Sequence, residues 1–367
     1  MIPPSSPPVR LTLKHLSLTV WRCLDQGVSI VTKTPEISGL TDAVRVLGEW
    51  QYDGAPVQLH PGDLGWHWRF GAEPTAAAVR TWSRDGRILA VGLLDGPGLV
   101  RLATAPGAEH DDALARQLVA DVTKPERGLL PPGSASVEAR FGGLFRELLL
   151  DDGWDLDEPW TPLQRDLTDP VEDRGPRIEV IGRQRVHDRV AVQRAAFANS
   201  TFTEERWHAM AAAPPYADAR CLVAYDGDGA AVPAATVWSA GPGRPGLLEP
   251  VGVHRDHRGH RYGMAITIAA AAALRDMGSS SAIVSTRAPT WPPSPPTSQP
   301  ASSSSPTSAT CTGAPRASSR VRVGTAQSGP GLSLIACLRS RVSFLARLAC
   351  CNAAAQPAPL PSGVPGL

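Results

Sequence analysis

The stretch that decides the fold is "LLEPVGVHRDHRGHRYGMAITIAAAAALRDMG", residues 247–278. It begins with the apolar character of a buried strand and ends with an Ala-rich helical run that Gly278 closes. Between them lies a loop that contains Gly259 and Gly263. A strand that passes through such a loop into a helix presents free backbone N–H groups and the positive end of the helix dipole to an anion. The sequence therefore predicts a phosphate or pyrophosphate site here. The alternative is an ordinary glycine-containing turn that caps a helix.

The residues around this stretch predict a mixed α/β unit over 177–286. "RIEVIG" and "SSAIVST" have the pattern of strands, and "ARCLVAYDGDG" with "AVPAATVWSAG" forms a hairpin about an Asp-Gly turn. "VHDRVAVQRAAF" and "TFTEERWHAMAAA" have helical spacing, and Thr203 is a plausible N-cap for the second helix. Strand, helices, hairpin, strand, helix and strand therefore follow one another along the chain.

A similar order of elements precedes this unit, over 35–170. "GLTDAVRVLGEW" predicts a helix, and "RTWSRDGRILAVGLLDGPGLVRLAT" predicts two or three short antiparallel strands. Helix, strand, helix and strand follow, and the polar linker "TDPVEDRGP" then leads to the second unit. The repeated order indicates a tandem duplication, although the residues themselves do not align convincingly. Residues 1–34 read as a poorly ordered leader.

Charge and hydropathy exclude several classes of partner. The 367 residues carry 36 Lys+Arg and 35 Asp+Glu, a net charge of +1 that gives no general field for nucleic acid or an anionic membrane. The chain contains no apolar run of roughly 18 residues and no secretory signal at its start. We therefore expect a cytoplasmic protein without a nucleic-acid or membrane partner. The sequence leaves the oligomeric state open.

The chain after Asp276 has an abnormal composition. Its 91 residues (367 minus 276) contain no acidic residue, four of the six cysteines and a long Pro/Ser/Thr run. Such a sequence does not bury a core, so residues 287–367 are predicted to be a disordered tail. The cysteine spacings match no zinc pattern, and we predict no metal site.

The string "VGVHRDHRGHRYGMAI", residues 251–266, resembles the acetyl-CoA-binding motif of the GNAT acetyltransferases. That motif is Arg/Gln-x-x-Gly-x-Gly/Ala between a strand and a helix. Arg258 matches its first position and Gly263 its last, whereas Arg261 replaces the central glycine. The resemblance covers about 177–286 and, more faintly, the first unit, as in tandem GNAT proteins of the actinobacterial, mycothiol-synthase-like type. It implies tandem GNAT folds of the α/β class with a mixed sheet.

The resemblance also implies a donor and its contacts. Acetyl-CoA would be the acetyl donor, with its pantetheine paired to the strand and its pyrophosphate held by the loop. The acetyl group would pass directly to the amine of a small molecule or to an amino group. The residues that would bind acetyl-CoA are Val251, Val253, Arg258, Gly259, His260, Arg261, Tyr262 and Gly263. Arg261 would either clash with the pyrophosphate or swing outward and pair with a phosphate.

Acetyl transfer to an amine requires a base, and Glu249 is the candidate because it lies on the strand just before the loop. The alternative is a strand-end carboxylate that faces solvent. His254 and His257 could relay protons, or they could belong to a solvated turn with Asp256. Phe202 and Trp207 could line an acceptor pocket, or they could be core residues of an amphipathic helix.

The resemblance implies a tyrosine followed by Ala-Gly-Phe after the last predicted strand, and no such segment is present. Read one base earlier, the codons from Thr290 onward can encode such a segment, with a tyrosine codon over Thr297. A frameshift between about Ser285 and Pro289 would explain the tail. The chain would then lack its closing elements and expose the edge of the strand "SAIVST".

The first unit carries "APGAEHDDALA" where the second has its loop, and the acidic residues there would repel a pyrophosphate. We expect it to be a non-catalytic partner. Two hypotheses follow for the whole chain: an acetyl-CoA-dependent N-acetyltransferase, or a catalytically inactive scaffold with weak or no CoA binding.

Overall fold

The computed structural model describes residues 29–171, 176–287, 308–314 and 320–321. The helices are α1 (Leu40–Glu49), α2 (Pro61–His67), α3 (Ala72–Ala78), α4 (Asp112–Thr123), α5 (Gly143–Asp151), α6 (Val186–Ala196), α7 (Glu204–Ala211) and α8 (Tyr262–Asp276). The strands before the linker are β1 (Val31–Lys33), β2 (Val79–Arg84), β3 (Arg87–Leu94), β4 (Leu99–Thr104), β5 (Ala135–Glu138) and β6 (Leu156–Asp166). Those after it are β7 (Arg177–Val180), β8 (Ala219–Tyr225), β9 (Ala231–Trp238), β10 (Gly246–Val253), β11 (Ser281–Arg287), β12 (Ser308–Ala314) and β13 (Arg320–Val321).

One continuous sheet joins the two predicted units. Its order is β1-β2-β3-β4-β5-β12-β6-β11-β10-β9-β8-β7, with β13 beside β12. The pairs β4–β5 and β10–β11 are parallel, and the other neighbours are antiparallel. The mixed-sheet α/β class predicted from the sequence is therefore confirmed.

Strand β6 of the first unit covers the edge of β11. The two strands pair antiparallel from Ser281 opposite Asp166 to Arg287 opposite Trp160. The expectation that this edge of the second unit is exposed is therefore wrong. Because β6 is 11 residues long, its backbone N–H and C=O groups can complete the ladder of a strand far away in sequence.

Two segments expected to be unstructured form strands. Val31–Lys33, at the end of the predicted leader, pairs with β2, and Ser308–Ala314 pairs with both β5 and β6. A strand that inserts between two open sheet edges pairs through its backbone N–H and C=O groups. A segment with the composition of the tail can therefore occupy the space between β5 and β6. The prediction that the whole tail does not fold is therefore wrong for 308–314. Thr297, where the suggested tyrosine codon lies, is outside the described residues.

Amphipathic elements bury the cores of both units. On α4 the side chains of Leu114, Leu118 and Val122 recur every fourth residue and are buried, as the 3.6-residue period requires. On α8 the small residues between Ile266 and Leu274 let this helix lie close to β9 and β10. Among the helices that the structure describes, none is long and apolar enough to cross a membrane.

The side chain of Trp238, on β9, packs directly on the backbone of α2 in the first unit. A Cβ atom added at Gly62 would lie 2.4 Å from Trp238 Cγ, and one added at Gly65 would lie 2.4 Å from Cζ3. These two glycines therefore let the indole approach the helix, which holds α2 against the second unit. Trp238 Nε1 also donates to the backbone oxygen of Glu249, at 2.7 Å.

Candidate active site

The loop between β10 and α8 presents a row of free backbone donors. Met264 N and Ala265 N bond to the carbonyl oxygen of Arg261, at 3.0 and 3.1 Å. Among the described residues, the N–H groups from Gly259 to Gly263 donate to no other backbone group. They stand at the N-terminus of a 15-residue helix, at the place where the sequence predicts an anion site, and backbone N–H groups in this position can bind an anion.

Arg261 adopts the left-handed conformation that a glycine would favour, with φ 65° and ψ 8°, and it is the N-cap of α8. The backbone at Arg261 therefore has a positive φ. For a residue with a Cβ, this conformation costs roughly 1–2 kcal/mol of conformational free energy. Its side chain is exposed.

The other two arginines of the loop bind the end of a helix. Arg255 donates to the carbonyl oxygens of Ala195 and Arg194, at 2.9 and 3.1 Å. Arg258 donates to Ala196 O at 2.7 Å. Because the carbonyls at a helix C-terminus carry partial negative charge, these guanidinium groups fix the loop to the end of α6.

Strands β10 and β11 separate beside this loop. Their parallel pairing covers only Gly246 opposite Ala282 and Leu247 opposite Ile283. A pocket at the separation is lined by Arg165, Leu248, Thr267, Ile268, Ala271, Ala282 and Val284. Val251 and Val253 lie on the part of β10 beyond the separation, where their registered partners are on β9.

Glu249 lies at an irregularity of β10. The register with β9 shifts by one residue between Leu248 and Val251, so Glu249 and Pro250 form a β-bulge. Pro250 has no backbone N–H to donate, which is consistent with interrupted pairing at this point. The Glu249 side chain is 38% exposed, and desolvation raises its pKa to about 8, although Arg101 opposes the shift.

A cluster of charged side chains from the first unit surrounds Glu249. Arg101, on β4, lies at its centre: Nη1 is 2.8 Å from Asp63 Oδ1, 3.5 Å from Asp95 Oδ2 and 4.0 Å from Glu249 Oε1. Its Nε lies 3.2 Å from Glu138 Oε2. Charged side chains of the first unit therefore surround the candidate base of the second. The sequence analysis did not identify this arrangement.

Two further groups fix this cluster. Asp63 accepts from His60 N at 2.6 Å and is almost fully buried, so its carboxylate holds Arg101 in place. Arg140 lies 3.4 Å from Glu138 and donates to Ser285 Oγ, on β11, at 3.0 Å. A lone arginine between Val100 and Leu102 on β4 was the available sequence signal, but nothing in it points to a strand about 150 residues later.

Other candidate residues have structural roles. Phe202 and Trp207 are each 3% exposed and belong to the core beside α7, which Thr203 caps through a bond from Arg206 N. His254 Nδ1 accepts from Asp256 N in a local turn. His260 is exposed and Tyr262 is half-buried, at the start of α8. Among the described residues no group of three His, Cys, Asp or Glu side chains is placed to hold a metal ion.

The matching helix of the first unit is capped by its own carboxylate. Asp111 accepts from Leu114 N at 2.9 Å and pairs with Arg84 at 2.6 Å. The N-terminus of α4 thus binds a side chain of the protein at the place where α8 has free donors.

No protein-family model matches the chain, and no curated protein matches it. The chain is similar to a solved GCN5-related N-acetyltransferase from Sphaerobacter thermophilus, with 16% identity, 72% of this chain and 89% of that chain covered, and a TM-score of 0.46. It is also similar to a tandem GNAT protein from the clavulanic acid biosynthesis pathway, with 15% identity, 72% and 91% covered, and a TM-score of 0.45. Saccharomyces cerevisiae N-myristoyltransferase with bound myristoyl-CoA has 9% identity, 77% and 74% covered, and a TM-score of 0.44. Identities and scores of this size carry no conclusion about activity, which depends on the residues of the site.

Proposed function

We propose that the chain is an acetyl-CoA-dependent N-acetyltransferase that acts on the amine of a small molecule or on an amino group. The observation that carries the proposal is the free N–H row from Gly259 to Gly263, which lies directly after the strand that holds Glu249. Acetyl-CoA supplies the activated acetyl group. The chain belongs, on this proposal, to tandem GNAT proteins, with units over 35–170 and 177–286.

The loop fits the phosphates of acetyl-CoA. Several backbone donors at the positive end of a helix bind oxyanions without requiring a charged side chain. Arg261 keeps its backbone in the conformation of the family's glycine, and its exposed guanidinium can add charge from outside the loop. Gly259 (φ +86°), with no atom within 4 Å of a Cβ position, leaves room for phosphate oxygens. Val251 and Val253, on the part of β10 beyond its pairing with β11, would bind the pantetheine.

Glu249 fits the role of the base. An amine reacts only as the neutral form, so a group at the site must accept the proton of the ammonium ion. A carboxyl group with a pKa near 8 accepts such a proton more readily than an ordinary glutamate, whose pKa is near 4. The first unit surrounds Glu249 with charge, so on this proposal it is part of the active site rather than a passive support.

Titration calorimetry of acetyl-CoA and CoA into the wild-type chain and an Arg261→Gly variant tests the donor site. Micromolar binding in both supports the proposal. Binding in the variant alone would favour the second candidate, an inactive scaffold, because the arginine in the motif would then block the donor. Replacement of Gly259 by Val should weaken binding at least tenfold, whereas Gly182→Val, at an open position before α6, should not. Acetyl transfer is then measured by thiol release with a panel of amines.

A further inference from the structure

Two arginines, one from each unit, contact the ring of Phe70 and have no carboxylate partner. Arg69 follows α2 in the first unit, and Arg206 lies on α7 in the second. Within the described part of the chain, no Asp or Glu oxygen lies within 4.0 Å of either guanidinium group. Like charges repel, so two guanidinium groups on one ring, with no carboxylate to neutralise them, favour the binding of an anion.

Aromatic rings hold both groups in place. The guanidinium carbon of Arg69 lies 4.3 Å from the ring centroid of Trp66 and 4.3 Å from that of Phe70. Arg206 lies 5.0 Å from the Phe70 centroid. Ring faces attract cations, so these contacts fix both side chains without neutralising them.

In each guanidinium group, one nitrogen donates a hydrogen bond to a backbone carbonyl oxygen. Arg69 Nη1 donates to Trp66 O at 2.7 Å, and Arg206 Nη1 donates to Thr201 O at 2.8 Å. Each guanidinium group has further N–H groups, which can donate paired hydrogen bonds to the two oxygens of a carboxylate. Phe70 is 41% exposed, so a ligand can reach the site from solvent.

The electrostatics connect this pair with the candidate base. Burial lowers the pKa of Arg69 to about 10, so the group stays charged at neutral pH; Asp95 and Glu249 raise the pKa, and Arg206 lowers it further. Arg69 is therefore close enough to Glu249 for their charges to interact. An anion bound to Arg69 would therefore interact with a group that is electrostatically coupled to the proposed base.

We propose that Arg69 and Arg206 bind an oxyanion of the acceptor, so that the acceptor is an amine that also carries a carboxylate group. This inference rests on the proposed function. Phosphates of acetyl-CoA are the other source of an oxyanion, but the free amides from Gly259 to Gly263 already provide a site for them. The arginine pair, which includes a residue of the first unit, serves the acceptor side.

The test uses N-acetylglycine as a carboxylate probe, with the neutral N-acetylglycinamide as its matched control, at constant ionic strength. Binding is followed by the NMR signal of the Trp66 indole N–H, assigned through a Trp66→Phe variant. We expect a saturable shift with N-acetylglycine and at least tenfold weaker binding of the amide. Arg69→Met should abolish the shift, and Arg206→Met should weaken binding at least fivefold. Arg116→Met, which removes an exposed arginine on α4, should change nothing.

Equal binding of the acid and the amide would overturn the proposal, as would binding that survives Arg69→Met. A saturable shift with adenosine 3′,5′-bisphosphate that Arg69→Met abolishes would assign the pair to the donor and would also overturn it. Acetyl-CoA binding is measured separately on the same samples. If the wild-type chain binds N-acetylglycine but not acetyl-CoA, the proposed function is wrong and the anion site is still supported.

Discussion

Arg101 of the first unit lies with its Nη1 atom 4.0 Å from Oε1 of Glu249 in the second. The guanidinium favours the ionised form of Glu249, whereas burial and the carboxylates of Asp63, Asp95 and Glu138 favour the protonated form. Arg69 and Arg140 also interact electrostatically with Glu249. Burial thus has the largest effect on the pKa of the candidate base, and the charged groups that adjust this pKa belong to the other unit.

Glu249→Gln should reduce acetyl transfer at least a hundredfold, since general base catalysis contributes roughly 10²–10⁴-fold. In the wild-type chain the base must be ionised, so kcat/KM should rise with pH and level off above a pKa of about 8. The measurement is the pH profile of thiol release with a fixed amine. A wild-type profile that stays flat from pH 6 to 9, or a variant with full activity, would remove Glu249 from the reaction.

Arg101→Gln should raise the pKa of Glu249, because the variant loses the positive charge that stabilises the carboxylate. Asp95→Asn should lower it, because a negative neighbour is removed. The two variants therefore shift the pKa in opposite directions. The ¹³C signal of the Glu249 carboxyl carbon, assigned through Glu249→Gln, measures this without activity. Arg101→Lys, which keeps the charge, should lie close to the wild type, and shifts in the same direction for Arg101→Gln and Asp95→Asn would contradict the electrostatic account.

Arg261→Gly should stabilise the chain by about 0.5–1 kcal/mol. The variant relieves the roughly 1–2 kcal/mol of a left-handed residue with a Cβ and loses roughly 0.5–1 kcal/mol through the greater freedom of glycine in the unfolded chain. Urea unfolding at pH 7 measures the difference. Arg255→Gly is the opposite control, since it removes two hydrogen bonds to the end of α6 and should destabilise. Destabilisation by Arg261→Gly would mean that the side chain makes an interaction that outweighs the strain.

Gly62→Ala should destabilise the chain by about 1–3 kcal/mol, the usual cost of forcing an extra carbon into a packed contact. The new Cβ would lie 2.4 Å from the Trp238 ring. Gly227→Ala has no atom within 4 Å of its Cβ position and is the matched control, with an expected change below about 0.5 kcal/mol. Thermal unfolding followed by far-UV circular dichroism distinguishes them, and an unchanged midpoint in Gly62→Ala would show that α2 can shift away from the indole.

The sequence by itself determined the local helices and strands and the loop between β10 and α8. Periodicity and capping residues predicted the helices around Leu114 and Ile266, and the strand-loop-helix order predicted the free amides near Gly259, because these features depend on neighbours within a few turns of chain. Glu249 was found because it lies on the same strand.

Only the tertiary structure decided what surrounds Glu249 and what covers the sheet. Arg101 and Glu249 are 148 positions apart (249 minus 101), and Arg69 and Arg206 are 137 apart (206 minus 69), so no local pattern relates them. Likewise, β6 covers β11 and Ser308–Ala314 fills the space between β5 and β6 through backbone hydrogen bonds, which nearly any side chains permit. Local propensity depends on adjacent residues, whereas charge clusters and strand pairing depend on which distant edges and surfaces the folded chain brings together.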